Sequence, residues 1–104
     1  MTDPDVSVLM AVHNAQNSLL QAVDSVLLQE GVAFELIIVD DGSTDATGVL
    51  LQACSDPRVV LLRNERNIGL SASLNRGLEV ARAPVIARMD GDDVSLPGRL
   101  HDQL

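Results

Sequence analysis

Three carboxylates fall within four residues at Asp90-Gly91-Asp92-Asp93. Brought close together they repel one another, more strongly at the end of a buried strand than on a solvated surface. A divalent cation relieves that repulsion. An all-oxygen donor set suits Mg²⁺ or Mn²⁺, held by one or two carboxylates with substrate phosphates completing the shell. Gly91 lets the backbone turn so that Asp90 and Asp92 can face one ion. The competing reading is a solvated acidic turn.

Three further polar clusters each follow an apolar run. They are His13-Asn14, Asp40-Asp41-Gly42-Ser43-Thr44-Asp45, and Arg63-Asn64-Glu65-Arg66-Asn67-Ile68-Gly69. Each also has a plain structural reading. Asp41-Gly42-Ser43 is a good turn followed by a helix cap. Asn67-Ile68-Gly69 can be a loop before a helix, and His13 a satisfied polar side chain. Their shared placement says more than any one of them.

The apolar runs are Val6 to Val12, Phe34 to Val39, Val59 to Leu62 and Val85 to Met89, the last interrupted by Arg88. Short, nearly continuous runs of this kind read as strands of a parallel sheet buried on both faces. Helical patterns lie between them. Leu19, Val23, Val26 and Leu27 share one face, as do Val49, Leu50, Ala53 and Cys54, and Leu70, Leu74, Leu78 and Ala81. Ser43 or Thr44 is placed to cap the second helix, with Asp45 in its first turn. A fourth helix is expected to start near Ser95 to Pro97. The order β-α-β-α-β-α-β-α predicts right-handed βαβ units: an α/β, Rossmann-like parallel sheet flanked by helices. Ligands of such sheets bind beyond the carboxyl ends of the strands, where all four polar clusters belong. Residues 1–104 read as one domain that breaks off as its fourth helix begins.

Composition narrows the chemistry. Hydrophobic residues make up 46% of the 104, which fits a packed domain. The formal net charge of -8 argues against nucleic-acid partners, although an acidic protein can bind a phosphorylated small molecule through a cation. All seven basic side chains are arginine, so mechanisms that need a lysine are excluded. The single Cys54 reads as core filler. Phe34 is the one aromatic residue, so no stacking platform is present. With no signal peptide and no apolar run near the ~20 residues of a membrane span, a soluble, cytoplasmic chain is expected.

Other phosphate-binding folds fit poorly. A dinucleotide-binding loop needs glycines after the first strand, where His13-Asn14-Ala15-Gln16 stands. A P-loop and a receiver domain both use lysine. Sugar nucleotidyltransferases open with a Gly-rich signature that is absent. Asp90-Gly91-Asp92-Asp93-Val94 matches the phosphatase string Asp-x-Asp-x-Thr/Val, but that string follows the opening strand of its fold, not the fourth.

Together the segments resemble the inverting glycosyltransferases of family 2, with a GT-A fold. The resembling blocks are Ser7 to Asn14, Glu35 to Asp45, Asn67-Ile68-Gly69-Leu70, Leu74 to Leu78, Ala87 to Asp93, and Pro97-Gly98-Arg99-Leu100. The resemblance implies the N-terminal, nucleotide-sugar-binding part of the GT-A domain. It implies that Ala11, Val12, His13 and Asn14 line the base and ribose pocket and that Asp40, beside Asp41, contacts the base, since a carboxylate can accept the N3–H of uracil. It implies that Arg66, Asn67 and Gly69 approach the nucleotide, with an arginine offsetting phosphate charge. Asp90 and Gly91 would lie at the ribose and metal, Asp92 would be the direct metal ligand, and Asp93 would support them. Two departures stand out. The family's Pro-x-Tyr-Asn is Ala11-Val12-His13-Asn14 here, and Gly91 replaces a residue that is often alanine.

The implied reaction moves a sugar from a nucleoside diphosphate, UDP by expectation, to an acceptor hydroxyl with inversion, with Mn²⁺ or Mg²⁺ as cofactor. A carboxylate general base would deprotonate the acceptor. That base, and the carbohydrate or lipid-linked acceptor site, belong to the half after Asp-x-Asp, so no catalytic base is nominated. The alternative is a metal-nucleotide binding module without transferase activity of its own. Exposed sheet edges would favour a homo-oligomer.

Overall fold

A computed structural model describes residues 4–29 and 31–90, with only the backbone of Asp90. Gly91, Asp92, Asp93 and the expected fourth helix lie outside the described residues. The elements run β1 (Val6–Val12), α1 (Leu19–Leu27), β2 (Phe34–Asp41), α2 (Thr47–Gln52), β3 (Val59–Asn64), α3 (Leu70–Val80) and β4 (Val85–Asp90). The four strands form one sheet in the order β3-β2-β1-β4, every pair parallel.

This order follows from the residues. All of Phe34–Asp41 is buried, and β1 is nearly so, as interior parallel strands must be when both faces are covered. α1 places Leu19, Ala22, Val23 and Val26 on one face, as expected. With Leu51 of α2 they cover Val8, Met10, Leu36, Ile38 and Met89 in the larger core. The opposite face carries a smaller cluster of Leu9, Ile37 and Val39, packed by Leu74 and Val60. Cys54 is partly buried against the larger core, in keeping with a filler role.

Three expectations need correction. The strands extend into the polar clusters: β2 ends at Asp41, β3 at Asn64 and β4 at Asp90, because ladder pairing continues to Asp41↔Asn64 and Ala11↔Asp90. α2 begins at Thr47, not after a Ser43 or Thr44 cap. Asp45 takes the capping role instead, its Oδ1 accepting the Thr47 amide at 2.9 Å. In consequence Thr47 and Leu51 are the buried residues of α2, and Val49 is 70% exposed. α3 also sits on a different face. Ser73 and Gly77 are buried, while Leu70 and Leu78 are nearly half exposed. Close approach explains this: a Cβ on Gly77 would lie 3.3 Å from Leu9 Cδ2 and 3.5 Å from Val39 Cγ2. Small residues let the helix backbone settle on β1 and β2.

A buried clasp ties the opposite end of the strands. Glu35 of β2, 3% exposed, accepts the Ser7 hydroxyl at 2.5 Å, the Arg82 amide at 2.8 Å and Arg82 Nε at 3.1 Å. Ser7 Oγ also accepts the Ala83 amide at 3.1 Å, which pins the turn into β4. Burial pushes the Glu35 pKa up, but the Ser7 hydroxyl and the Arg82 amide and guanidinium outweigh it and hold it below its usual value. A lowered pKa means that this stabilisation is full above the unfolded value of about 4.3 and is lost as pH falls through the folded one. Glu35→Gln is expected to lower stability by about 1.5–3 kcal/mol at pH 7, with the gap to the parent closing near pH 3. Urea unfolding at both pH values checks this, and a gap independent of pH would contradict it.

Candidate functional site

The chain reverses direction once in the sheet. From β1 through β2 to β3 it moves outward, then α3 carries it back across β2 and β1 to β4 on the far edge. The reversal lies between β1 and β4, and ligands of open α/β sheets bind outside the carboxyl ends at that point. A cleft of about 180 Å³ lies at this carboxyl edge, between the ends of β1 and β2 and the start of α3, lined by Ala11, Val12, His13, Asp41, Asn67, Gly69 and Leu70. Pockets that enclose drug-sized ligands run to about 300–1,000 Å³, so this one suits part of a nucleotide rather than a whole nucleoside diphosphate sugar.

Loop contacts shape its walls. His13 Nδ1 lies 2.7 Å from the Asp41 carbonyl. A carbonyl only accepts, so Nδ1 carries the proton, and in the neutral ring Nε2 is an acceptor. Asn14 adopts a left-handed φ of 51°, a conformation asparagine tolerates. Its Oδ1 accepts the amides of Thr44 at 2.8 Å and Asp45 at 3.3 Å, and its own amide donates to Ser43 Oγ at 2.9 Å. The loops after β1 and β2 are thereby joined. The loop after β3 leans on both: Gly42, at φ 68°, lies so close to Arg66 and Asn67 that a Cβ would be 2.5 Å from their backbone atoms.

The two adjacent acids separate. Side chains alternate across a strand, so Asp40 shares a face with Leu36 and Ile38 and points towards α2. It is 1% exposed; its Oδ1 accepts the Ser43 amide at 3.1 Å, and its Oδ2 has no partner among the described residues. A Cβ on Gly48 of α2 would lie 3.4 Å from that oxygen. Asp40, expected to contact the base, does not line the cleft. Asp41 lines the cleft instead.

Asp41 is heavily supported. Its Oδ1 accepts the Ile68 amide at 2.7 Å and Asn64 Nδ2 at 3.0 Å, and its Oδ2 accepts the Gly69 amide at 3.0 Å. Burial pushes its pKa up, but these donors and the Ser73 hydroxyl outweigh it, so the carboxyl is held below its usual range. Each carboxylate oxygen offers two lone pairs. With the Ser73 hydroxyl, four donors converge on this carboxylate.

The structure thus brings Ala11, Val12, His13, Asn67 and Gly69 together with Asp41. It places Asn14 as a brace behind them, and Arg66 against the Gly42 turn without lining the cleft. β4 brings the Asp90 backbone into register with Ala11, which lines the cleft; Gly91 and Asp92 lie outside the described residues. Among the described residues, no three His, Cys, Asp or Glu side chains gather around one point. Sequence reasoning missed Asn64, Ser73 and Arg76 as contributors. The polar Asn64 ending an apolar run in register with Asp41 was the signal available for them.

The comparisons bear on this geometry. The family model described as glycosyl transferase family 2 matches residues 7–104. The succinoglycan biosynthesis protein ExoO of Rhizobium meliloti is 43% identical over 97 residues, covering 93% of this chain and 28% of the relative. The chain spans between 28% and 37% of the length of the first curated relatives it matches. Among solved structures, S. aureus TarS in complex with UDP-GlcNAc superposes with a TM-score of 0.85 at 24% identity, covering 94% of this chain and 29% of that one. The mannosyltransferase PcManGT from Pyrobaculum calidifontis, in complex with GDP-Man and Mn²⁺, gives 0.80 at 23% identity, covering 90% and 29%. The four-stranded parallel sheet with its flanking helices is that of a GT-A fold.

Proposed function

Because the chain belongs to glycosyl transferase family 2, we propose that it holds the nucleotide of a UDP-linked sugar donor, with the base in the cleft between β1 and α3. The observation that carries this reading is Asp41, a buried carboxylate that lines the cleft and is fixed there by Asn64 and by the Ile68 and Gly69 amides. A carboxylate can accept the N3–H of uracil, and a cleft of about 180 Å³ suits a pyrimidine better than a purine. This reading gives Asp41 the base contact expected of its neighbour Asp40. His13 and the backbone of Ala11 and Val12 flank the base, and Asn67 and Gly69 close the other wall.

Among the described residues the cleft's lining holds no arginine, and the chain's net charge is -8. A diphosphate therefore needs a cation beside it, and the register of the Asp90 backbone with Ala11 supports a cation held by the acidic run. Asp92, with Asp90, would hold Mn²⁺ or Mg²⁺. Such an ion, when bound, neutralises charge on the leaving diphosphate. Asp41 and His13 meanwhile orient the base, which fixes the donor for attack by an acceptor hydroxyl with inversion. We assign donor binding to this stretch. The general base and the carbohydrate or lipid-linked acceptor site fall outside the residues assigned. Among the described residues no helix is long and apolar enough to cross a membrane.

Calorimetric titration with UDP and GDP in the presence of Mn²⁺ tests the base reading. UDP is expected to bind about ten-fold or more tightly, the worth of about 1.4 kcal/mol from one additional well-made hydrogen bond. Equal affinities would remove Asp41 from base recognition.

A further inference from the structure

Asn64 ends β3 as the register partner of Asp41. It is buried, and its amide is held at both ends. Nδ2 donates to Asp41 Oδ1 at 3.0 Å and to Ser73 Oγ at 3.0 Å. Oδ1 accepts Arg76 Nη1 at 2.6 Å, and the same nitrogen donates to the Arg63 carbonyl at 2.6 Å. The amide orientation is forced. A carboxylate only accepts and a guanidinium only donates, so a flipped amide would set oxygen against oxygen and N–H against N–H. Cation, amide dipole and anion run head to tail, an arrangement in which each bond polarises the next.

Arg76 does not line the cleft. It reaches the end of β3 from α3, three residues beyond Ser73, and what it grips is the amide that grips Asp41. The Ile68 and Gly69 amides hold the carboxylate from the loop side, and Asn64 holds it from the strand side. Without Arg76, Asn64 Oδ1 is a buried acceptor with no charged donor, and the amide loses the anchor that holds it square to Asp41.

We propose that Arg76 is a positioning residue for nucleotide recognition, which through Asn64 keeps the Asp41 carboxylate facing the cleft. This rests on the reading of Asp41 as the acceptor for the base. It places a specificity determinant on the outer part of α3, away from any contact with the donor.

The test titrates UDP and GDP, each with Mn²⁺, against the parent, Arg76→Met, Arg76→Gln and Arg76→Lys, at a temperature where circular dichroism shows each folded. Arg76→Met and Arg76→Gln are expected to lose about ten-fold in UDP affinity and little in GDP affinity, so that the preference for UDP collapses. Arg76→Lys, which keeps a charged donor, is expected to stay within about three-fold of the parent. A merely structural role would weaken both nucleotides alike and leave their ratio unchanged, and that result overturns the proposal. So does full UDP affinity in Arg76→Gln, which also decides the matter if Arg76→Met does not fold. A parent chain that binds no UDP would fail the underlying reading, and this inference with it.

Discussion

Gly42→Ala is expected to remove about 2–5 kcal/mol of stability, a large share of the roughly 5–15 kcal/mol typical of a domain. Two costs add. Gly42 sits at φ 68°, where an L side chain costs about 1–2 kcal/mol. The new Cβ would also lie 2.5 Å from Arg66 C and Asn67 N and 2.8 Å from Arg66 Cα. These are backbone atoms with no rotamer to change, so the whole loop after β3 must move, at a further cost of about 1–3 kcal/mol by analogy with overpacked cores. Asn67 and Gly69 line the cleft on that loop, so nucleotide affinity should fall even under conditions where the variant stays folded. Urea unfolding measures the first effect and calorimetry the second. A loss below about 1 kcal/mol would mean that the turn and the loop are not packed as described.

Asp41→Asn is expected to weaken UDP binding by about 30-fold or more and to cost about 2–3 kcal/mol of stability at neutral pH. The amide is nearly the same shape, but its NH₂ must face one of the donors now satisfied by Asp41: Asn64 Nδ2, the Ile68 amide or the Gly69 amide. The pH dependence follows from the lowered pKa of Asp41. Its stabilisation is full above the unfolded aspartate value of about 3.9 and is lost as pH falls through the folded value. Parent and variant should therefore differ most at neutral pH and converge in acid. Asp40→Asn offers a contrast. Asp40 points to the other face of the sheet, so that substitution should leave the preference for UDP over GDP intact. A variant Asp41→Asn that binds UDP as the parent does would end the account of base recognition.

The fold was largely legible because burial on both faces writes parallel strands as continuous apolar runs. Those runs located all four strands and, through their alternation with helices, the parallel sheet. What periodicity alone could not read was parity. Asp40 and Asp41 are neighbours in sequence, and both sit at the end of a buried strand, yet one residue of offset sends their side chains to opposite faces. Only the register with β1 and β3 decides which of them meets the cleft. The α3 face was misjudged for a related reason. Apolar spacing selected Leu70, Leu74 and Leu78, but close packing on β1 and β2 selects for smallness, which Ser73 and Gly77 supply and a count of apolar residues does not register. The Arg76–Asn64–Asp41 chain spans 35 positions in sequence and is visible only once β2, β3 and α3 stand side by side.

The account's central claim is a nucleotide held jointly by Asp41 and a cation on the Asp90-Gly91-Asp92 segment. Titration of UDP with and without Mn²⁺, on the parent and on Asp92→Asn, tests it most directly. The account predicts binding that requires Mn²⁺ in the parent and is lost in Asp92→Asn. UDP binding of equal strength without metal, or unchanged by Asp92→Asn, would contradict it.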